Sequence, residues 1–418
     1  MRPITAIVLG AGQRGADAYA GYALRFPDEL KIVGTAEPCE ERRLSLARLH
    51  GIPKERCYPT WEDALAVPKF ADCVFVCTQD RMHCGPVLAA LGKGYDVLCE
   101  KPMSPDKKEL LQMRDAARES GHLLSICHVL RYSPFFAEIQ NLLGAGAIGQ
   151  LVSIQHIESV GYWHMAHSFV RGSWRRADES CPMILAKCCH DLDLLRWLAD
   201  SPCQSVSSVG SLVHFTAAHA PQDAPAYCLD GCAHRDECPY FAPRFYLEHP
   251  RAVPDGFVRA VSLDPSPEAV LEALRRGPYG RCVYRCDNDV VDNQLVNLTF
   301  ANGITASLTM CAFTDRCERI INLMGSRGQL RGNLEDSTLE LLDFASGSRT
   351  IRQIHTPEGG HSGSDAVMMR EFLRTLRAGA ADSRSSAAVS VESHLMALAA
   401  EQSRLRGGVP VRLQEEEA

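Results

Sequence analysis

The stretch Ile4-Thr5-Ala6-Ile7-Val8-Leu9-Gly10-Ala11-Gly12-Gln13-Arg14-Gly15 decides the fold of the first part of this chain. A mostly apolar run of six residues enters a turn with glycine at its first, third and sixth positions, and residues 16–26 then follow a helical pattern. A second apolar run over 30–36 ends in Glu37. This order of strand, glycine turn, helix, strand and acid is typical of a parallel sheet that binds a dinucleotide.

Each glycine of the turn has a predicted role in that binding. Gly10 permits the tight turn, Gly12 lets the backbone approach a pyrophosphate, and Gly15 allows the helix to pack closely on the strand. The helix N-terminus supplies N–H donors and a favourable dipole, so Gln13 and Arg14 are counted among the cofactor-binding residues.

The acid at the end of the second apolar run predicts which dinucleotide is used. Glu37 is expected to bind the adenosine ribose diol and to repel a 2′-phosphate, which favours NAD over NADP. Arg42 and Arg43 follow closely in the sequence and leave NADP open as an alternative.

Composition excludes several classes of protein. The chain has 418 residues, of which 46% are hydrophobic and 23% charged, so we expect two or three globular domains. Its 44 basic and 51 acidic residues give a net charge of −7, which argues against a nucleic-acid partner.

No basic block or long apolar stretch predicts a membrane partner. The chain begins directly with a core strand, leaving no room for a signal peptide, and most of its 18 cysteines are expected to be core residues, so we predict a cytoplasmic protein.

Apolar runs and helical patterns alternate through the first third of the chain, which predicts a Rossmann domain with a doubly wound parallel sheet over 1–125. Residues 126–418 have the alternation of a mixed, largely antiparallel sheet with one open face, closed by two helices, and are predicted to form an α+β domain for substrate binding and oligomerisation. Within it, residues 217–288 are rich in proline, cysteine and aromatic residues and are interpreted as an insertion. The fold class is therefore α/β.

Two polar motifs follow strands of the predicted parallel sheet. Glu100-Lys101-Pro102 comes after the run ending at Cys99, and Thr78 and His83 come after the preceding strand. Ligands of doubly wound sheets bind at the carboxyl ends of the strands. Lys101 is therefore a candidate to polarise or deprotonate a substrate hydroxyl, with a solvated lysine before a turn as the alternative. Thr78, His83, Glu100 and Lys101 are predicted to line the cofactor site.

A second candidate group lies on a predicted helix over 183–198. Lys187, His190 and Asp193 are spaced i, i+3 and i+6, so they would share roughly one helix face. A histidine between a lysine and a carboxylate can shuttle a proton near neutral pH. The alternative is a polar helix face with a histidine in the core.

Aromatic residues alternate with histidine and arginine over 162–175. Stacking rings and hydrogen-bond donors suit a polyhydroxylated ring, so the predicted substrate-binding residues are Tyr162, His164, His167, Arg171 and Trp174. The alternative is a packed aromatic loop, and a metal site at the two histidines lacks a nearby third ligand.

A glycine-rich loop near the C-terminus adds one more candidate. His361 lies in this loop, ahead of Asp365, which is a good helix N-cap. It could reach into the cleft and is counted with the substrate-binding residues.

Clustered cysteines in the insertion predict a metal site. Cys228, Cys232, Cys238 and Cys286 could hold a structural zinc, with Cys282 or His234 as substitutes. An iron–sulfur cluster also takes four thiolates, and disulfides are the remaining alternative.

The glycine turn, the Glu100-Lys101-Pro102 motif and His190 with Asp193 together resemble the Gfo/Idh/MocA oxidoreductases. The resemblance implies an NAD(P)-binding Rossmann domain, a mixed-sheet domain, and homodimers or homotetramers formed through the open sheet face. It also implies that Lys101 and His190 lie beside the nicotinamide and that the Lys101–Pro102 bond is cis. Inositol dehydrogenase-like members often have an aspartate four residues before the histidine, where this chain has Ala186.

The predicted function is an NAD-dependent oxidoreductase acting on the CH–OH group of a sugar, polyol or glycoside. His190 or Lys101 would take the hydroxyl proton while the hydride passes to the nicotinamide. One alternative is an NAD-recycling glycosidase or lyase that oxidises, eliminates and reduces again, for which the crowded histidines, arginine and lysines offer the proton-transfer groups. The other is a non-catalytic NAD-sensing regulatory protein.

Overall fold

A computed structural model describes residues 2–250, 256–356 and 363–413. Its first sheet is fully parallel, in the order β3-β2-β1-β4-β5-β6. The strands are β1 (Ile4–Leu9), β2 (Leu30–Ala36), β3 (Cys57–Tyr58), β4 (Cys73–Val76), β5 (Asp96–Cys99) and β6 (Leu124–Ile126). The chain order reverses beside β1, and ligands of open α/β sheets bind outside the carboxyl ends of the strands at such a reversal.

The second sheet has nine strands in the order β14-β13-β12-β11-β7-β10-β9-β8-β15, and its one parallel pair is β7 with β10. The strands are β7 (Leu151–Ser159), β8 (Cys203–Ser211), β9 (Asn293–Phe300), β10 (Thr305–Cys311), β11 (Glu318–Gly325), β12 (Gly328–Asn333), β13 (Thr338–Asp343), β14 (Arg349–Gln353) and β15 (Val411–Arg412). This is the mixed, largely antiparallel sheet that the sequence predicts.

Helices cover the first sheet and one face of the second. The α-helices are Gly21–Arg25, Glu40–His50, Trp61–Ala66, Cys84–Gly92, Lys107–Ser120, Pro134–Gly144, Tyr162–His164, Met183–Ala186, Cys189–Ala199, Ala242–Glu248, Phe257–Val261, Pro267–Arg276, Ser364–Arg377 and Ala387–Leu405, with π-helices at Gln13–Ala20 and Met165–Arg171. The long helix Ala387–Leu405 packs against both β8 and helix Lys107–Ser120, so it joins the two sheets into one structure.

The other face of the second sheet is open. Along β7, Ile154, His156 and Glu158 are buried, whereas Gln155 and Ile157 on the opposite face are exposed. A strand places successive side chains on opposite faces, so the buried face of β7 carries the polar residues towards the helices.

Two local predictions differ from the structure. The predicted helix over 183–198 is two helices, Met183–Ala186 and Cys189–Ala199, with Lys187 in the turn between them. The shared helix face predicted for Lys187, His190 and Asp193 is therefore wrong for Lys187. In the second sheet, alternation does not identify β12 or β14, because β14 is exposed throughout and β12 contains two glycines.

The segment between β8 and β9 has little regular structure before its three helices. A small separate core holds these helices together and includes Trp163, Phe245, Tyr246 and Val270. Arg259 of this segment forms a 3.2 Å ion pair with Asp17, next to the glycine turn, so the segment also contacts the first domain.

In the described ranges, we find no helix that is both long and apolar enough to cross a membrane.

Candidate active site

The glycine turn has the geometry that its sequence predicts. Gly10 has a φ of +95°, and a Cβ atom there would lie 2.4 Å from the carbonyl oxygen of Cys77. A Cβ at Gly15 would lie 2.0 Å from the carbonyl oxygen of Gly10, so both positions require glycine. At Gly12 a Cβ would meet no atom within 4 Å, which leaves open space beside the backbone. These residues fit a dinucleotide whose pyrophosphate approaches at Gly12.

Glu37 lies at the carboxyl end of β2, beside this turn. Its carboxylate accepts hydrogen bonds from the backbone N–H groups of Ala11 at 2.8 Å and Cys39 at 3.0 Å. The guanidinium of Arg43 binds the backbone carbonyl of Glu37 and is thereby held next to it. Contact of Glu37 with a ribose stays a prediction.

Arg14 points into the protein. Its guanidinium binds Glu100 at 2.7 Å and Asp365 at 2.7 Å, and Tyr19 also donates to Glu100. Burial would raise the pKa of Glu100, but Arg14 and Lys101 outweigh it, and the pKa is lowered. Arg14 and Glu100 therefore form an ion pair beneath the site.

Lys101 joins the two domains at the predicted position. Its Nζ donates a 2.9 Å hydrogen bond to the carbonyl oxygen of Ala186, and its backbone N–H donates to Glu100 at 2.9 Å. The Lys101–Pro102 bond is cis, as expected. The amino group therefore lies at the carboxyl end of β5, next to the turn that carries Lys187.

Thr78 and His83 shape the neighbouring loop after β4. The His83 ring is buried between the carbonyl oxygens of Pro102, at 2.7 Å, and Thr78, at 3.0 Å. The Thr78 hydroxyl donates to the carbonyl oxygen of Met82 at 3.1 Å. Both side chains hold loops at the strand ends together, and direct contact with a cofactor stays a prediction for them.

His190 is buried within a group of three imidazoles. His128 packs edge-on against His190, with ring centres 5.8 Å apart, and against His394 at 5.3 Å. Burial lowers the pKa of His128 to about 4 and that of His394 to about 3. These two rings are therefore neutral at neutral pH.

Asp193, the predicted acid of the proton shuttle, faces the core. Both of its carboxylate oxygens bind the guanidinium of Arg131, at 2.6 and 2.9 Å. Burial would raise the pKa of Asp193, but Arg131 and His128 outweigh it, so the pKa is lowered. This geometry pairs Asp193 with Arg131 in the core, and a direct part in proton transfer stays a prediction.

Lys187 belongs to a buried charge network that the sequence did not reveal. Its Nζ lies 3.1 Å from Glu158, which also pairs with Arg319 at 2.9 Å. Arg319 binds Asp191 at 2.8 Å as well. Burial opposes a charge on Lys187, yet the attraction of Glu158 outweighs it and raises the pKa of Lys187. The network therefore places a protonated amine beside the Lys101 contact.

Part of the predicted substrate-binding stretch is helical and packs against the insertion. His167 stacks on Tyr279 with ring centres 4.8 Å apart and bonds the hydroxyl of Tyr246 at 2.8 Å. Burial lowers the pKa of His167 to about 3. The packed arrangement considered as an alternative thus describes His167.

His164 lies closer to the two lysines. Burial lowers its pKa well below the ordinary value, and the charges of Lys187 and Lys101 lower it further. Its ring stacks on Trp163 at 5.7 Å, and its Nδ1 lies 3.5 Å from the thiol of Cys317. His164 is therefore a neutral imidazole, and its contact with a substrate stays a prediction.

Two other predicted substrate ligands are held by structural partners. Arg171 is fully buried and donates to the backbone carbonyls of Arg281 and Tyr240, each at 2.7 Å, so it faces the insertion. The indole N–H of Trp174 donates to Asp80 at 2.8 Å. Asp80 follows β4 in the sequence, so this bond fixes Trp174 against the strand ends.

Of the remaining two predicted substrate-binding residues, the structure describes only one. Tyr162 is partly buried, and its hydroxyl lies 3.4 Å from His249. His361 lies outside the described residues.

The expected zinc site is not supported as predicted. In the described part of the chain, no three His, Cys, Asp or Glu side chains are already arranged as metal ligands. Cys286 instead directs its sulfur at the carbonyl oxygen of Cys282, 3.3 Å away. All 18 cysteines are free, which removes the disulfide alternative.

Four functional candidates were missed from the sequence: Glu158, Arg319, Asp80 and His128. One signal was available for Glu158, because it shares a strand face with His156 while apolar Ile157 takes the other face. The partners of Arg319 and His128 are distant in the sequence, so no local pattern identifies them.

Comparison with known proteins defines the class to which this fold and site belong. Residues 4–128 match the family described as "Oxidoreductase family, NAD-binding Rossmann fold", and residues 140–411 match "Oxidoreductase family, C-terminal alpha/beta domain". The chain belongs to this Gfo/Idh/MocA oxidoreductase family. The predictions of the family, the fold class and an NAD-binding oxidoreductase are thereby confirmed.

Three similar proteins illustrate the match. The putative oxidoreductase YteT of Bacillus subtilis is 22% identical over 372 residues, covering 84% of this chain and 83% of YteT. Inositol 2-dehydrogenase 4 of Saccharopolyspora erythraea is 30% identical over 204 residues, covering 48% of this chain and 55% of that protein. The structure of levoglucosan dehydrogenase with NADH and levoglucosan has a TM-score of 0.73 at 17% identity, covering 99% of this chain and 100% of the other, and it shows the shared fold.

Proposed function

We propose that this protein is an NAD-dependent dehydrogenase that oxidises a CH–OH group of a sugar or polyol. The observation that carries the proposal is the bond from Lys101 Nζ to the Ala186 carbonyl. It places a lysine from the first domain beside the Lys187 turn and the His190 helix of the second, at the carboxyl end of the parallel sheet.

The residues of the site have different roles in proton transfer and hydrogen bonding. Lys101 and His190 are positioned to hold the substrate hydroxyl and to accept its proton as the carbon is oxidised. NAD, when bound, supplies the hydride acceptor. Lys187 is kept protonated by Glu158 and can donate a hydrogen bond to a neighbouring substrate oxygen.

The substrate class is supported by the names of relatives and by the half-buried ring of His164. This ring stacks on the buried Trp163 and lies within the influence of the charges of Lys187 and Lys101, so an aromatic ring and amine donors are close together. The matched inositol 2-dehydrogenase and levoglucosan dehydrogenase are named for a polyol and a sugar derivative.

Glu37 supports NAD in preference to NADP, because a carboxylate at the end of β2 repels a 2′-phosphate. It lies beside the glycine turn, in the position that this selectivity requires.

A redox-neutral reaction on the same substrates is the second candidate, and the Lys187–Glu158 pair favours it. A simple dehydrogenase needs one proton acceptor, whereas this site also holds a buried, protonated amine. Such an amine can donate a hydrogen bond to a leaving oxygen and stabilise the charge that develops on it during elimination.

Incubation with NAD and a panel of sugars, polyols and aryl glycosides tests the proposal, with NADH absorbance and aglycone release followed together. We expect NADH to accumulate in step with substrate loss. Aglycone release that depends on NAD but yields no NADH would replace the dehydrogenase with the redox-neutral candidate. Lys101→Met is the control, and it should abolish either signal while NAD binding is retained.

The open face of the second sheet supports a homodimer or homotetramer. Ile157, Ile320 and Ile351 are exposed on or near this face, and an apolar sheet face of this kind is commonly covered by another copy of the chain.

The 18 free thiols support a reducing compartment such as the cytoplasm.

A further inference from the structure

The insertion contains a small cavity lined by four cysteines. Cys228, Cys232, Cys238 and Cys282 all border it, and its volume of about 20 Å³ is enough for one water-sized sphere. Cys286 is not part of its wall. His234 also borders the cavity, so both substitutes considered in the sequence lie at its wall, and Cys282 replaces Cys286 as the fourth thiol.

Backbone pairing brings two distant parts of the chain together at this cavity. The N–H of Cys228 donates to the Gly280 carbonyl at 2.9 Å, and the N–H of Cys282 donates to the Ala226 carbonyl at 2.8 Å. A bridge between Tyr227 and Arg281 lies between these two bonds. Cys228 and Cys282 are thus held on adjacent extended segments, although 54 positions separate them in the sequence.

The surrounding segment has little else to hold it in place. Between β8, which ends at Ser211, and the helix Ala242–Glu248, the regular elements are one three-residue helical turn and that bridge. Loops of this length without their own secondary structure are uncommon in compact domains, and small units without a sufficient core are usually held by a metal or by disulfides. The cysteines here are free thiols.

The wall of the cavity also contains a buried positive charge. Arg171 is 1% exposed, and its Nη2 lies 3.7 Å from the sulfur of Cys228. It also donates to the backbone carbonyls of Arg281 and Tyr240, and no carboxylate of the described residues forms an ion pair with it. Burial of a charge costs free energy unless an opposite charge lies nearby. An anionic group at the thiols would supply that opposite charge for Arg171.

We propose that Cys228, Cys232, Cys238 and Cys282 bind one metal ion of the zinc class as thiolates, and that Arg171 is the counter-charge to this anionic centre. Four thiolates around a divalent ion leave a net charge of −2. The thiols border one cavity without yet being arranged as ligands, so binding has to draw the sulfurs together by side-chain rotation. Each thiol that binds releases its proton to solvent.

Metal analysis of the full-length protein tests this proposal. Protein purified without chelators from zinc-supplemented cells is expected to hold about one zinc ion per chain. After replacement by Co²⁺, the visible spectrum should show the thiolate charge-transfer bands of a tetrahedral site. Protein that lacks metal under these conditions would overturn the proposal, as would iron in several-fold excess over chain with broad visible absorbance, which indicates an iron–sulfur cluster.

Matched cysteine variants identify the ligands. Cys282→Ser is expected to lose most of the bound metal, and Cys286→Ser, four residues away and outside the cavity wall, is expected to keep it. The opposite result would overturn the assignment. If Cys282→Ser does not fold, the metal content and Co²⁺ spectrum of the unaltered protein still decide the question.

Arg171→Met tests the counter-charge separately. Loss of a group next to the metal ligands usually costs about 10-fold or more in affinity, so metal should transfer faster to a competing chelator. Unchanged affinity would show that Arg171 serves only to bind the two carbonyls. These readouts do not use NAD or substrate, so their failure is distinct from failure of the proposed dehydrogenase.

Discussion

The amino group of Lys187 lies 3.1 Å from the carboxylate of Glu158, and both groups are largely buried. Lys187 occupies the turn between two helices, while Glu158 stands near the end of β7. The pair therefore links the sheet to the turn beside Ala186, the residue whose carbonyl oxygen Lys101 contacts.

Loss of this carboxylate should destabilise the protein. Glu158→Gln leaves Lys187 buried without its counter-charge and removes one of the two partners of Arg319, so we expect the free energy of unfolding to fall by about 3 kcal/mol. Urea denaturation measures the loss. The control is Glu272→Gln, which breaks an exposed pair with Arg275 and should cost less than about 1 kcal/mol. Equal effects of the two variants would contradict the buried pairing.

The buried histidines predict lower stability in mild acid. The pKa of His128 is about 4 in the folded protein, whereas an unfolded histidine has a pKa of about 6.5. Between these values the unfolded chain binds a proton that the folded chain does not, so stability falls as pH decreases through this window. His394 and His167, with pKa values of about 3, add to the effect in the same direction.

The His128→Gln variant isolates one part of this pH dependence. The slope of unfolding free energy against pH should decrease by up to about 1.4 kcal/mol per pH unit between pH 4.5 and 6. His219→Gln is the control, because His219 is exposed, and its slope should match that of the unaltered protein. An unchanged slope for His128→Gln would contradict a neutral imidazole at that position.

The carboxylate of Glu37 should set the preference between NAD and NADP. Glu37→Gln keeps an oxygen that can accept from the Ala11 N–H but removes the negative charge. We expect the ratio of NADP to NAD dissociation constants, measured by titration calorimetry, to fall about tenfold, which corresponds to 1.4 kcal/mol. Glu40→Gln, at an exposed position in the helix that follows, should leave the ratio unchanged. Similar ratios of the NADP and NAD dissociation constants in both variants would show that Glu37 does not set the preference between the two cofactors.

The open face of the second sheet should mediate assembly. Ile320→Asp places a charge on this face, and we expect the molar mass measured by light scattering to fall to that of a smaller species. Leu49→Asp is a suitable control, because Leu49 is 60% exposed on a helix of the first domain. A monomeric unaltered protein, or an unchanged mass for Ile320→Asp, would contradict this interface.

Local patterns predicted the first domain well. The glycine turn, β5 and the position of Lys101 follow from short-range rules, because a strand and the turn after it are encoded by neighbouring residues. The mixed, largely antiparallel sheet of the second domain likewise follows from the alternation over residues 126–418.

The site in the second domain could be predicted only in part, because its partners come from distant segments. Lys187 was placed on a helix that the structure breaks at that residue, and its partner Glu158 lies 29 positions earlier. Arg171 was expected to bind substrate, but the insertion, whose folding no local pattern describes, buries it. The buried polar face of β7 was the one visible signal of the charge network.

Transfer of deuterium from substrate to cofactor tests the central claim most directly. The sugar or polyol that yields NADH fastest would be supplied fully deuterated at carbon, and the nicotinamide product analysed by NMR. The account predicts one deuterium at C4 of the nicotinamide, formed by the unaltered protein and lost with Lys101→Met. NADH without deuterium at C4, or full transfer by Lys101→Met, would contradict a dehydrogenase in which Lys101 assists hydride removal from a CH–OH carbon.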